Sequence, residues 1–165
     1  MEKFKKGAVL ITGTTSGVGL NTLKPLIEFG WDIIAVNRSS KRAIDEANKI
    51  FKNNEIESIN FIEIDLSDLN SVRDGAKEIA TRFGNVLKVL ICNAAVYKPR
   101  LKRPERSPQG FENSMAVNHF GHFLLINLLL ESILNSDEKI ILNGEISKFI
   151  PRITILGTVT ANYLE

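Results

Sequence analysis

The chain has 165 residues, is 44% hydrophobic and 24% charged, and carries a formal net charge of +2. This is the composition of one ordinary globular domain, long enough to bury roughly 70% of its unfolded surface without a metal or disulfide staple. A single cysteine excludes an internal disulfide framework and points to a reducing compartment, and the small net charge argues against a nucleic-acid binder. The apolar runs Phe123–Ile126 and Leu128–Leu130 are separated by Asn127 and stopped by Glu131, so no stretch is expected to reach the ~20 apolar residues of a membrane span. Met1–Lys6 is short and basic, and the apolar run after it is brief, which does not read as a signal peptide.

In chain order, Ala8–Ile11 is an apolar run closed by Thr12-Gly13 and predicts a buried strand. Val18 to Phe29 has helical spacing, with Pro25 expected to kink it. Asp32–Val36 predicts a second strand, Lys41–Phe51 a charged amphipathic helix, and Phe61–Ile64 a third strand. Leu69–Phe83 predicts a helix with Ser67 as N-cap and Gly84 as stop. Leu87–Cys92 is a fourth strand, Phe111–Leu134 a long apolar helix, and Ile153–Leu156 a fifth strand. Tyr97–Gly110, with three prolines and five basic residues, and Asn135–Pro151 read as irregular segments. Strands alternating with helices imply crossovers and a parallel α/β sheet. Cover on both faces explains why these strands are solid apolar runs.

The strongest local signal is Thr12-Gly13-Thr14-Thr15-Ser16-Gly17-Val18-Gly19, directly after strand one and opening helix one. A pyrophosphate approaches a helix N-terminus closely, where free N–H groups and the helix dipole favour an anion. Side chains at Gly13 or Gly17 would block the turn or the approach, and Gly19 lets the helix pack against the sheet. Thr14, Thr15 and Ser16 add hydroxyl donors. Dinucleotide sites for NAD carry an acid about 20 residues beyond the glycines to hold the ribose 2′-OH. Here strand two ends in Asn37-Arg38-Ser39, followed by Ser40-Lys41-Arg42, with no carboxylate. A cationic, hydroxyl-rich tip favours the 2′-phosphate of NADP, with Arg38 the fork that binds it. Lys41 and Arg42 read as a solvated helix start. Asp65 either accepts from an adenine amine or caps the turn that follows it.

The glycine run, Cys92-Asn93-Ala94-Ala95 after strand four, and Asn118 in the next helix together resemble the short-chain dehydrogenase/reductase superfamily over the whole chain. Three segments narrow the likeness: Cys92-Asn93-Ala94-Ala95-Val96-Tyr97, Asn118-His119-Phe120-Gly121-His122-Phe123, and Gly157-Thr158-Val159-Thr160-Ala161-Asn162. Together they are similar to the light-dependent protochlorophyllide reductases, the cyanobacterial form in particular. The resemblance implies a Rossmann-like doubly wound parallel sheet with helices on both faces, residues 1–165 holding five of about seven strands. It implies NADPH as cofactor and light-driven reduction of the C17=C18 double bond of protochlorophyllide, with hydride delivered to C17 and a proton to C18. Gly13 to Gly19, Arg38, Asp65, Leu66, Asn93, Ala94 and Ala95 would hold the cofactor. Thr158 would replace the superfamily's catalytic Ser, Asn118 would hold the helix geometry and a water relay, and Tyr97 would face the pigment. Peripheral association with a thylakoid membrane, a cytoplasmic location in a photosynthetic cell and a homo-oligomer are all compatible with it.

The superfamily's general-acid Tyr, with a Lys four residues later, is missing: Tyr97 and Tyr163 are the only tyrosines, and neither begins a Tyr-x-x-x-Lys. The chain stops at Glu165 in mid-element, and the expectation is an N-terminal portion of a longer protein, poorly soluble and inactive alone. Two other readings stand beside the photoenzyme. One is a different NADPH-dependent short-chain carbonyl reductase, against which Thr158 in place of Ser argues. The other is a non-catalytic NADP-binding module, which fits the missing Tyr and Lys. His119 and His122 have no third ligand nearby, so a metal site is not expected, and Cys92 reads as a buried strand residue.

Overall fold

The computed structural model describes residues 7–98, 100, 103–136, 139–142 and 145–157. Among these, five strands form one parallel sheet: β1 (Ala8–Thr12), β2 (Asp32–Asn37), β3 (Ile59–Glu63), β4 (Leu87–Cys92) and β7 (Arg152–Ile155), in the order β3-β2-β1-β4-β7. The register runs Ala8 beside Asp32, Val9 beside Val89, and Val89 beside Arg152. The five residues of β1 are all buried because both faces of the sheet are covered. Ala8 and Leu10 point into one cluster with residues of α4 (Leu69–Phe83) and α6 (His122–Leu134). Val9 and Ile11 point into another, with Leu20 and Leu23 of α1 (Gly17–Glu28) and Ala47 of α2 (Ser40–Asn48). This is the doubly wound, Rossmann-like sheet expected from the sequence, in part. The chain steps outward from β1 to β3 and then returns to place β4 on the other side of β1. The strand order therefore reverses between β1 and β4, and ligand crevices form outside the carboxyl ends of strands at such a point.

Several local expectations change. α1 continues through Pro25 to Glu28 on its exposed side, and the Phe29 N–H is bonded to the Pro25 carbonyl at 2.9 Å. α2 stops at Asn48, and a short α3 (Asn53–Ile56) follows, because Phe51 turns into the core under β2. The N-cap of α4 is Asp68, whose side chain accepts from the Asn70 N–H at 3.0 Å; Ser67 is instead drawn to Asp65. The segment after the long helix is not irregular throughout. It holds a hairpin of β5 (Lys139–Leu142) and β6 (Glu145–Lys148).

The long helix is built from α5 (Asn113–Met115), a π-helical stretch (Ala116–Gly121) and α6. As one 22-residue unit, Asn113–Leu134 is long and apolar enough to cross a membrane, which corrects the expectation that no stretch would reach that length. Leu125, Leu129 and Ile133 lie buried in the core shared with the sheet and α4, while Phe123, Leu130 and Leu134 are exposed. Gly121 sits against the Leu66 carbonyl with no room for a Cβ, so the π-helical stretch closely approaches the loop after β3.

Candidate functional site

The turn between β1 and α1 is fixed by two glycines in different ways. Gly13 has φ +74, and a Cβ there would come within 2.8 Å of the Ala94 Cα. A Cβ on Gly19 would collide with the Gly13 carbonyl oxygen and the Asn93 Nδ2, so only hydrogen fits where α1 meets the sheet. Gly17 faces open space. Ser16 is the N-cap of α1 but makes no side-chain cap, and the first turn holds no acid. The N–H groups and dipole of this helix end are therefore presented to an incoming anion. Thr15 is half-buried, and Ser16, Gly17 and Val18 are exposed along the turn. Thr14 was expected to add a hydroxyl donor to the phosphate turn. It is fully buried, with its N–H bonded to Asn37 Oδ1 and its Oγ accepting from Asn37 Nδ2, both at 2.7 Å. Thr14 thus braces the turn against the tip of β2.

A cleft of about 210 Å³ opens along the carboxyl ends of β1 to β4, with Gly13 and Thr15 at its floor. Its wall at the β2 tip is Arg38, Ser39 and Arg42. Arg42 was expected to be a solvated helix start; it lines the cleft because Ser39 caps α2 by accepting the Arg42 N–H at 3.3 Å, which brings the first turn of α2 over the tip. Among the described residues no carboxylate lines this wall, although Glu63 Oε2 accepts the Ser40 N–H at 3.0 Å beside it. The opposite wall holds Asp65, Leu66, Ala94, Ala95 and Val96, with Val117 from the π-helical stretch. Asp65 Oδ1 accepts the Ser67 N–H at 2.9 Å and its hydroxyl at 2.6 Å, so the residue caps its turn and also faces the cleft.

Asn93 was expected to line the cleft. It turns inward, and its Nδ2 donates to the carbonyls of Thr12 at 2.8 Å and Gly13 at 3.0 Å. Its role in this fold is a strut between β4 and the glycine turn. Asn118 bonds the backbone of Val96 in both directions, accepting its N–H at 2.7 Å and donating to its carbonyl at 2.9 Å. This pins the segment after β4 to the π-helical stretch. Tyr97, next in the chain, is 82% exposed and lies outside the residues that line the cleft. Thr158, together with Tyr163, lies outside the described residues. In the basic loop, Lys98 pairs with Glu105 at 2.6 Å and Arg106 donates to the Gly110 carbonyl at 2.7 Å; Pro99, Leu101 and Lys102 lie outside the described residues.

Burial pushes the Cys92 thiol up to about 11, which keeps it neutral and unreactive. Among the described residues no three His, Cys, Asp or Glu side chains converge. His119 is exposed against Phe120 and Phe123, whereas His122 is buried with its Nε2 2.9 Å from Thr12 Oγ1. Sequence reasoning placed Asn37 and Ser39 at the β2 tip without their bonds to Thr14 and Arg42, and missed Arg42, Val117 and His122 as parts of this neighbourhood.

Comparison with known proteins agrees with this geometry. The chain is 38% identical to the chloroplastic protochlorophyllide reductase of Chlamydomonas reinhardtii over 159 residues, covering 96% of this chain and 37% of that protein. It is 41% identical to the Daucus carota protein of the same name over 160 residues, with the same coverage. The chain thus spans about 37% of the length of these curated relatives. Among solved structures, an uncharacterized protein from Mycobacterium paratuberculosis superposes with a TM-score of 0.63 at 32% identity, over 76% of this chain and 42% of that one. A 3-ketoacyl-(acyl-carrier-protein) reductase from Brucella melitensis, solved with NADH, shares the fold at a TM-score of 0.58 and 23% identity, over 76% of this chain and 50% of that one. Residues 7–144 match the short chain dehydrogenase family, and with its parallel sheet and glycine turn the chain belongs to that family.

Proposed function

We propose that this chain is the cofactor-binding portion of a light-dependent NADPH:protochlorophyllide oxidoreductase acting in chlorophyll biosynthesis. The short-chain dehydrogenase family typically uses NAD(P)H. The observation that carries the choice of NADPH is the β2 tip, where Arg38, Ser39 and Arg42 line the cleft, while the neighbouring Glu63 carboxylate is engaged by the Ser40 N–H at 3.0 Å and does not line it. Guanidinium groups bind a phosphate through paired, charge-assisted bonds, whereas a carboxylate there would repel it. The choice of substrate rests on the likeness, at 38–41% identity over 96% of the chain, to proteins named protochlorophyllide reductase.

The donors present fit such a dinucleotide. The N–H groups at the start of α1, with Thr15, Ser16, Gly17 and Val18, receive the pyrophosphate, and Gly13 lets the turn close against Ala94. Arg38 and Arg42 receive the 2′-phosphate. Asp65 and Leu66 flank the adenine side, and Ala94 and Ala95 present backbone toward the nicotinamide side. When bound, the cofactor supplies the hydride that reduces the C17=C18 bond, with light absorbed by the pigment. Asn118 fixes the Val96 backbone and with it the course of the chain toward Tyr97, to which we assign the pigment side. Thr158 takes the position of the superfamily's catalytic Ser. The same reading places the protein in a photosynthetic cell, in the cytoplasm or at the thylakoid surface.

The test is illumination of the full gene product with protochlorophyllide and NADPH. Loss of the protochlorophyllide band and growth of the chlorophyllide band only in the light is the expected result. Conversion in the dark, or none in the light from a protein that binds NADPH, would overturn the substrate assignment in favour of a reductase acting on another group.

A further inference from the structure

The hydrogen-bond inventory at Thr12 fixes the state of a buried histidine. The Thr12 hydroxyl oxygen accepts two backbone N–H groups, from Asn93 at 3.0 Å and Ala94 at 2.9 Å. A hydroxyl has two lone pairs and one proton, so both acceptor positions are taken and its proton is left for the third neighbour. That neighbour is His122 Nε2 at 2.9 Å. Nε2 must then be the unprotonated, accepting nitrogen, and the ring is neutral with its proton on Nδ1. The backbone carbonyls of Asn118 and Val117, in the preceding turn, act on the same ring and favour a proton on it. Thr12 is fully buried and His122 is 5% exposed, so no solvent reorganises to accept a different proton arrangement cheaply.

We propose that neutral His122 is a positioning residue of the dinucleotide site, holding the Thr12 hydroxyl so that it fixes the backbone of Asn93 and Ala94 under the cleft. The chain of contacts is continuous. His122 orients the hydroxyl, the hydroxyl holds the two N–H groups, and Asn93 in turn ties the carbonyls of Thr12 and Gly13 to β4. Ala94 and Gly13 both line the cleft. A proton added to Nε2 places two donors face to face, and the hydroxyl must then release the ring or one of the amides.

Among the described residues, the other ionisable groups on the elements packed against the ring are exposed, held elsewhere or kept neutral. β1 carries no ionisable side chain. On β4, Lys88 is bonded to the Lys139 carbonyl and the Cys92 thiol stays neutral. The charged residues of α4 in this region, Arg73, Asp74, Lys77 and Glu78, are exposed, as is His119. Burial holds the His122 pKa below its ordinary value, and the Asn118 and Val117 carbonyls offset part of that.

The site assignment rests on the cofactor reading above, but the first measurement does not. In the full gene product labelled with ¹⁵N and free of cofactor, the imidazole shifts of His122 should show the Nδ1–H tautomer at pH 7.5. On acidification the amide signals of Asn93 and Ala94 should move with the midpoint of His122. An Nε2–H tautomer, or amides that ignore that midpoint, would overturn the proposal whatever the cofactor is. The second measurement is affinity against pH for NADPH and NADH together, because a 2′-phosphate itself titrates at about pH 6. Both should weaken by about tenfold per pH unit below the His122 midpoint, as linkage requires when binding demands the neutral ring. His122→Gln, whose amide oxygen accepts from Thr12 without titrating, should bind NADH well at pH 7.5 and lose that pH dependence. NADH binding that is independent of pH in the unsubstituted protein would contradict the role, while failure of NADPH alone would count against the 2′-phosphate reading and leave His122 where it is.

Discussion

At Gly19 the first turn of α1 lies against the Gly13 carbonyl and the Asn93 side chain, neither of which is free to move, since Asn93 already holds two carbonyls. Gly19→Ala should therefore cost about 1–3 kcal/mol, the range for overpacking, and should open the glycine turn. Thermal denaturation and dinucleotide affinity both check it, and an unshifted melting temperature would contradict the geometry. Asn37 is the second such residue. Its amide closes two bonds to buried Thr14, and Asn37→Ala leaves a buried N–H and a hydroxyl without those partners. The expected cost is about 1–3 kcal/mol, measured by denaturant unfolding. The glycine run itself was legible in the sequence, because glycine spacing is read directly from residue order. Asn37, Arg42 and His122 were not. Their contacts join residues 23 or 110 apart in the chain, or depend on the direction in which α2 leaves the β2 tip, and residue order does not show that.

At the scale of elements, α4 begins where Asp68 accepts from the Asn70 N–H and from Gln109 Nε2 at 2.8 Å, while Gln109 Oε1 accepts the Leu69 N–H at 3.2 Å. The loop before the long helix is thus clipped to the start of α4. The Gln109 bond, followed by the Asn70 N–H, holds the Asp68 carboxyl below its ordinary value of 3.8. Asp68→Ala should lose about 1 kcal/mol, the usual worth of an N-cap. The loss should be present above pH 3.8, where the carboxylate is charged even when unfolded, and should vanish as pH falls through the folded value. A loss that persisted at lower pH would show that the cap acts through packing alone. Five strands and four main helices were legible because each is a solid apolar run or a helical period. The hairpin β5–β6 was not: it is two four-residue strands, too short for a periodic signal. The bounds of α4 are those read from the sequence, but its N-cap is Asp68 and not Ser67, because Asp65 draws Ser67 into its own turn.

For the whole molecule, the sheet, the reversal of strand order and the glycine turn put one uncapped helix N-terminus and one cationic strand tip at a single cleft. The buried neutral His122 makes the stability of this body depend on pH. Its folded pKa lies below the ordinary 6.5, so the unfolded chain binds the extra proton first. The stability is fully present above pH 6.5 and falls as pH drops from there through the folded pKa. Melting temperatures measured on either side of that window check this, and His122→Gln should flatten the slope. The ligand we assign to the cleft is a 2′-phosphorylated dinucleotide. The most direct measurement is a paired titration of NADPH and NADH on the unsubstituted protein and on Arg38→Ala. The unsubstituted protein should favour NADPH, and Arg38→Ala should lose about tenfold or more of its NADPH affinity, the worth of a charge-assisted phosphate contact, with NADH little changed. Equal losses for both dinucleotides, or a native preference for NADH, would contradict the account.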